Sequence, residues 1–318
     1  MSDTKTNPSP PILPWKTKIA LSFLSAVTDF TRRDDGTINR LLTGFLDITK
    51  PIPSQPVRGL NVTDITVDPS RNLWFRIYTP TKEMTKLPSS TTATAEAATK
   101  KLPVFIFFHG GGFAFLSAAS IGYDVVCRRF ARENSAIVVS VNYRLAPEFK
   151  YPCQYDDGFD VLKFIDSRRC KEFPANADLS RCFLGGDSAG DNIAHHVTVR
   201  ASNSTFQHLK IVGLIQIQPF YGGEERTESE IRLIKAPLVS LPRTDWLWKV
   251  FLPNGSDRNH EAANDMKRNP NFPGTLVVIG GFDPLQDWAK RYYEGLKKCG
   301  KDLLFKEVKG FIAKKCLK

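Results

Sequence analysis

Five apolar runs without polar alternation recur along the chain, at residues 103–108, 136–142, 181–184, 211–217 and 275–280. A strand with one wet face alternates with period two, so runs without that period predict strands covered on both faces. Helix-like stretches lie between them, at 155–165 and from the end of the third run to Arg200. Buried strands alternating with helices predict an α/β protein with a parallel sheet.

The text before these runs differs. Residues 58–80 alternate as strands do, with Thr63, Ile65 and Val67 expected on one face and Leu73, Phe75 and Ile77 on a second strand. Residues 15–31 place Ile19, Ala20, Phe23, Leu24, Val27 and Phe30 at helical spacing, and 32–50 continue after a turn with Ile38, Leu41, Leu42, Phe45 and Leu46. The expected organisation is one domain over 1–318. It has a flexible lead at 1–14, N-terminal cap helices at 15–50, an exposed Ser/Thr/Ala/Lys-rich loop at 84–101, and a cap insertion at 222–272 over the strand ends.

A length of 318 residues with 42% hydrophobic side chains supports a sizeable core and excludes wholesale disorder. No apolar run is long enough to predict a membrane span, and the polar, Pro-rich N-terminus lacks the apolar core of a secretory signal. Six scattered cysteines, without metal-ligand spacing, fit reduced thiols in the cytoplasm, with the nucleus as a second location. No metal or other cofactor is expected. The net charge of +11 is the excess of 44 basic over 33 acidic side chains, and basic pairs (Arg32-Arg33, Lys100-Lys101, Arg128-Arg129, Lys297-Lys298, Lys314-Lys315) are spread over the chain, which reads as solvated surface and not as a nucleic-acid site.

Two motifs carry chemistry. Gly186-Asp187-Ser188-Ala189-Gly190 matches G-x-S-x-G between a strand and a helix. Such a turn needs glycines two residues either side of the serine, and it lifts the hydroxyl to the C-terminal edge of a sheet beside a helix N-terminus. His109-Gly110-Gly111-Gly112 ends an earlier apolar strand. The amides of Gly111, Gly112 and Ala189 are therefore expected to converge on one oxygen of a tetrahedral intermediate, as an oxyanion hole. His109 reads as a residue that holds this loop, not as a base.

With HGGGF, NYRLAPE (142–148), YPCQYDDG (151–158) and GDSAG in this order, the chain resembles the plant carboxylesterases of the hormone-sensitive-lipase-like branch of the α/β-hydrolases. TRRDDGTINR, GGEERTESE and DWLWKVFLP are similar to the gibberellin receptors of the same branch. The resemblance covers nearly the whole chain from about residue 15. It implies the α/β-hydrolase fold, a mostly parallel sheet with helices on both faces. It also implies a nucleophile at Ser188, oxyanion-hole glycines at Gly111 and Gly112, and an acid at Asp283 within Gly281-Phe282-Asp283. Asp287, opening the next helix, reads as an N-terminal charge.

The chain order Ser…Asp…His then demands a histidine after Asp283, and residues 284–318 contain none. A strand begins at 301–305, and 306–315 look like the family's C-terminal helix, so the last strand and the histidine-bearing loop read as truncated. His195 and His196 fall about 10–12 Å along the helix from Ser188 at ~1.5 Å rise per residue. His208 lies beyond that helix. His260, in the cap insertion, is the remaining substitute, with nothing in the sequence to hold it against Asp283.

Two functions follow from the resemblance. One is a carboxylesterase forming an acyl-Ser188, with competence in doubt for want of the histidine. The other is a non-catalytic binder of a hormone-like molecule, since the gibberellin receptors also lack this histidine. Two departures separate the chain from those receptors: Gly112 stands where they carry serine, and Arg243-Thr244 replace their Asp-Arg. The expected partner is a small hydrophobic ester or hormone-like ligand. Phe23, Val27, Phe30, Trp246, Trp248 and Phe251 are expected either to face it or to form the core of the cap. The sequence assigns no oligomeric state.

Overall fold

The computed structural model describes residues 14–81, 101–168, 170–264, 271–300 and 302–308. The expected lead and loop therefore lie outside the described residues over 1–13 and 84–100.

Eight strands form one sheet: β1 (Leu60–Asp68), β2 (Leu73–Pro80), β3 (Leu102–Phe108), β4 (Ile137–Asn142), β5 (Ala177–Asp187), β6 (Ile211–Ile217), β7 (Gly274–Gly280) and β8 (Leu303–Val308). Their spatial order is β1-β2-β4-β3-β5-β6-β7-β8. β1 and β2 pair antiparallel, β2 joins β4 antiparallel, and every pairing from β4 onward is parallel. The five apolar runs coincide with β3, β4, β5, β6 and β7, although β5 starts at Ala177, four residues before its apolar run.

Both faces of the central strands are covered, as the unbroken runs require. Val104, Ile106 and Phe108 of β3 join the larger core, while Phe105 and Phe107 join a second cluster with Cys127, Phe130 and Ala131 of α3 (Ile121–Glu133). On the larger-core face lie α4 (Cys153–Asp166) and α5 (Ala189–Ser202), which pack on each other and give that core Val161, Leu162, Ile193 and Val197. β1 departs from the expected single buried face. Leu60 and Val62 enter the second cluster, Ile65 enters the larger core, and Thr63 is exposed, because this edge strand is covered by different elements along its length.

The helices outside the sheet are α1 (Trp15–Thr31), α2 (Arg40–Leu46), α6 (Glu228–Arg232), α7 (Leu241–Phe251), α8 (Glu261–Asn264) and α9 (Gln286–Lys297). α1 is tied to the chain around α7: Arg243 makes a bidentate pair with Asp29, Ser25 Oγ accepts from Leu238 N at 3.2 Å, and Trp246 Nε1 donates to Arg33 O at 3.2 Å.

The C-terminal end corrects one expectation. Lys306, Glu307 and Val308 do not start a helix; they complete β8, in register with Val278, Ile279 and Gly280. Parallel pairing along the free edge of β7 satisfies the backbone groups of these residues. The rest of the expected helix, 309–315, lies outside the described residues.

Candidate active site

Four strands deliver the site residues from their C-terminal ends. His109-Gly110-Gly111-Gly112 follows β3, Ser188 follows β5, Gln218 follows β6, and Asp283 lies just past β7. This is the edge at which open parallel sheets bind ligands.

Ser188 has φ +54° and ψ −119°, a backbone conformation that L residues rarely adopt, and it caps α5. Its neighbours must be small. A Cβ on Gly190 would lie 2.0 Å from the Phe108 carbonyl oxygen, and one on Gly186 would lie 2.5 Å from the same oxygen. The carbonyl of Ser188 accepts from Asp191 N and Phe220 N, and its amide donates to Ile217 O at 3.1 Å, so backbone bonds hold the turn.

The glycine loop is held by Asp187 and Tyr123. Gly110 N donates to Asp187 Oδ1 at 2.9 Å and to Tyr123 Oη at 2.7 Å, and the Tyr123 hydroxyl donates to Asp187 Oδ2 at 3.1 Å. Gly111 and Gly112 have φ of +111° and +62°. A Cβ on Gly111 would meet Phe115 O at 2.2 Å. His109 is fully buried, stacks on Tyr143 with ring centres 4.3 Å apart, and packs Nδ1 against Gly110 O at 2.8 Å. Burial pulls its pKa down to about 4, so it is a neutral part of the loop.

Gly111, Gly112, Ser188 and Asp283 line one cavity of about 250 Å³, together with Asp187, Tyr123 and Gln218. Ala189, fully buried, follows Ser188 as the first residue of α5. The rest of the wall is mainly apolar: Leu24 of α1, Phe115, Leu116, Phe220, Leu238, Val239 and Leu247 of α7 among others. Of the two places expected for the six apolar residues, facing the ligand or in the core of the cap, none of them takes the first. Phe23 and Phe30 are exposed, Val27 and Trp246 are half-buried, and Trp248 and Phe251 pack with Phe113 and Phe220 in the core. The phase of α1 explains the difference, since Leu24 and Thr28, one helical turn apart, form its cavity-facing stripe.

Asp283 is buried. Its Oδ1 accepts from Leu285 N at 2.9 Å and its Oδ2 from the Gln218 amide at 2.8 Å. Burial dominates these bonds and lifts its pKa to about 6, and burial does the same for Asp187. None of the five histidines lines the cavity. His195 faces Tyr292 Oη at 3.0 Å. His196 stacks on Tyr155, and His260 accepts from Ala262 N at 3.1 Å beside Tyr151. Asp287 sits in the first turn of α9, where its carboxylate accepts from Ser229 N at 2.8 Å.

A family model described as alpha/beta hydrolase fold matches residues 105–314. The chain belongs to the α/β-hydrolase fold family. Within it, the chain is 42% identical over 298 residues to the gibberellin receptor GID1C of Arabidopsis thaliana, covering 92% of this chain and 85% of the receptor. It is also 36% identical over 291 residues to carboxylesterase 20 of the same plant, covering 88% and 86%. Among solved structures, an ester hydrolase from the metagenome of Lake Arreo superposes with a TM-score of 0.71 at 25% identity, covering 95% of this chain and 90% of that one. Both receptors and esterases are thus relatives of this α/β-hydrolase. No helix among its described residues is long and apolar enough to cross a membrane.

Sequence reasoning missed Gln218, Tyr123 and Asp187. Gln218 carried a signal: it stands directly after a parallel strand adjoining those that deliver Ser188 and Asp283. Asp187 occupies the first variable position of G-x-S-x-G, where the motif itself asks for no particular residue. Nothing local marks Tyr123, which reaches the loop from the first turn of α3.

Proposed function

We propose that this chain binds a small, mainly apolar ester-like or hormone-like ligand in the Ser188 cavity and does not hydrolyse it unaided. The observation that carries this reading is the partner of Asp283. In a working triad that carboxylate orients a histidine, which takes the serine proton. Here it holds the Gln218 amide, and an amide does not accept a proton at neutral pH. Ser188 then stays a neutral hydroxyl, and the amides of Gly111, Gly112 and Ala189 serve to hold a ligand oxygen. The 42% identity to a protein named as a gibberellin receptor supports the same reading. A cytoplasmic or nuclear location belongs to this proposal.

A carboxylesterase is the second reading, favoured by the strained Ser188 turn and the glycine loop facing one cavity. Hydrolysis of a short-chain p-nitrophenyl ester by this chain and by Ser188→Ala separates the two. Equal rates are expected, and a clear Ser188-dependent rate would make the chain an esterase. Calorimetry with a gibberellin tests ligand identity, and no heat at high micromolar ligand would remove that hormone class.

A further inference from the structure

The charge of the Ser188 cavity is one-sided. Asp187 and Asp283 line it, and no lysine, arginine or histidine does so among the described residues. Around them the wall is mainly apolar, so neither carboxylate gains much from solvent, and a nitrogen donor is the complementary ligand group. Asp283 has capacity for one. Its Oδ1 accepts from Leu285 N and its Oδ2 from Gln218 Nε2, while a carboxylate offers about four lone-pair directions. Ser188 lines the same cavity.

We propose that the ligand of this cavity carries an imidazole-type ring, whose N–H donates to Asp283 while its second nitrogen faces the Ser188 hydroxyl. The inference rests on the reading that the chain has no base of its own. A two-nitrogen ring is the class required, because one nitrogen must donate to the carboxylate while the other keeps a free lone pair. A simple aliphatic amine, protonated against Asp283, has no lone pair left.

An acyl ester carrying such a ring in its acyl part would then supply the missing base. The ring nitrogen takes the Ser188 proton as the Oγ–carbonyl bond forms, and the amides of Gly111, Gly112 and Ala189 hold the carbonyl oxygen. The ester C–O bond breaks, and the leaving alkoxide takes the proton from the ring. In the second half, the same nitrogen takes a proton from water as the water oxygen bonds the acyl carbon. Ser188 Oγ leaves and recovers the proton. The sum is ester plus water to acid plus alcohol, with the ring unchanged.

Imidazole itself is the probe. Hydrolysis of p-nitrophenyl acetate is followed against rising imidazole, with the protein-free reaction subtracted. The proposal expects a saturating gain of about tenfold or more, below the ~10²–10⁴-fold of a fully positioned base. The gain should vanish in Ser188→Ala, and Asp283→Asn should raise the half-saturating imidazole about tenfold. N-methylimidazole, which has no N–H for Asp283, should give little gain with the unaltered chain, so the test does not depend on a variant folding. A gain linear in imidazole, one unchanged in Ser188→Ala, or equal gains from the two probes would overturn the proposal. The rate without imidazole tests the underlying reading separately: Ser188-dependent turnover there defeats that reading whatever imidazole does.

Discussion

The Gln218 side-chain amide donates to Asp283 Oδ2 at 2.8 Å, joining the ends of two neighbouring parallel strands, β6 and β7, in the lining of the Ser188 cavity. Gln218 reaches this position from a left-handed backbone conformation, φ +54°. The bond satisfies a buried carboxylate, which would otherwise be costly to keep charged. It also defines the chemistry of the site, because the group against the acid is a neutral donor and not a proton acceptor.

Replacing that donor with an acceptor should be costly. Gln218→Glu keeps the size but sets a second carboxylate against Asp283 in a mainly apolar pocket, where like charges cannot both ionise cheaply. We expect a fall in Tm of several degrees at pH 8, where both groups tend to ionise, and a smaller fall near pH 5, where one proton can be shared. Thermal melts at the two pH values check this, and an equal loss at both would show that charge is not the cause.

Asp283 itself predicts a pH-dependent stability difference. Its folded pKa of about 6 lies above the ordinary value of 3.8, so the folded chain binds more protons than the unfolded chain between these values. Stability from this group is therefore greatest below pH 3.8 and is lost as pH rises through 6. Asp283→Asn removes the titration and keeps an oxygen for Leu285 N. Relative to the unaltered chain, the variant should melt about 2–4 °C higher at pH 8 than the difference seen at pH 5. A difference that does not change with pH would remove the burial argument.

The central sheet was legible because its strands are buried on both faces and leave unbroken apolar runs. The Ser188 turn and the glycine loop were legible because steric need fixes glycine at set positions around them. The Gln218–Asp283 bond was not, since it joins residues 65 apart and neither carries a local signature. Which apolar residues face the cavity was left open for a related reason. Periodicity identifies α1 as amphipathic, but which stripe faces the cavity depends on how the helix lies over the strand ends, and Leu24 and Thr28 were chosen by that packing. At β8 the local text misled: Lys306 and Glu307 favour helix, yet pairing with β7 decides their conformation.

Two glycine substitutions should act in opposite directions. Gly190→Ala puts a Cβ 2.0 Å from the Phe108 carbonyl oxygen, and backbone on both sides leaves no side chain to move aside. Overpacking of this kind costs about 1–3 kcal/mol or more, and the Ser188 turn should distort with it. Gly44 lies in α2, exposed, with nothing within 4 Å of the added carbon. Gly44→Ala should stabilise by up to about 1 kcal/mol through helix propensity and lower unfolded-chain entropy. Denaturant midpoints of the two variants should move to opposite sides of the parent value.

The pair between Arg243 and Asp29 governs how firmly α1 lies over the cavity. Arg243 Nε donates to Asp29 Oδ1 at 2.8 Å, and its Nη2 bonds the other oxygen, the bidentate form that makes an arginine–carboxylate pair specific. The Arg243 side chain is mostly buried and that of Asp29 largely exposed, so the net contribution stays near the ~1 kcal/mol of surface pairs. The pair holds the Asp29 carboxyl below its ordinary pKa, so its contribution persists at neutral pH and fades as acid protonates it. Arg243→Ala should therefore change the global Tm little while speeding limited proteolysis within residues 15–31 at neutral pH. Raising salt should speed proteolysis of the unaltered chain towards the variant's rate. A ligand that fills the cavity and touches Leu24 and Thr28 should restore protection in the variant, and digestion followed by mass spectrometry reads each of these effects directly.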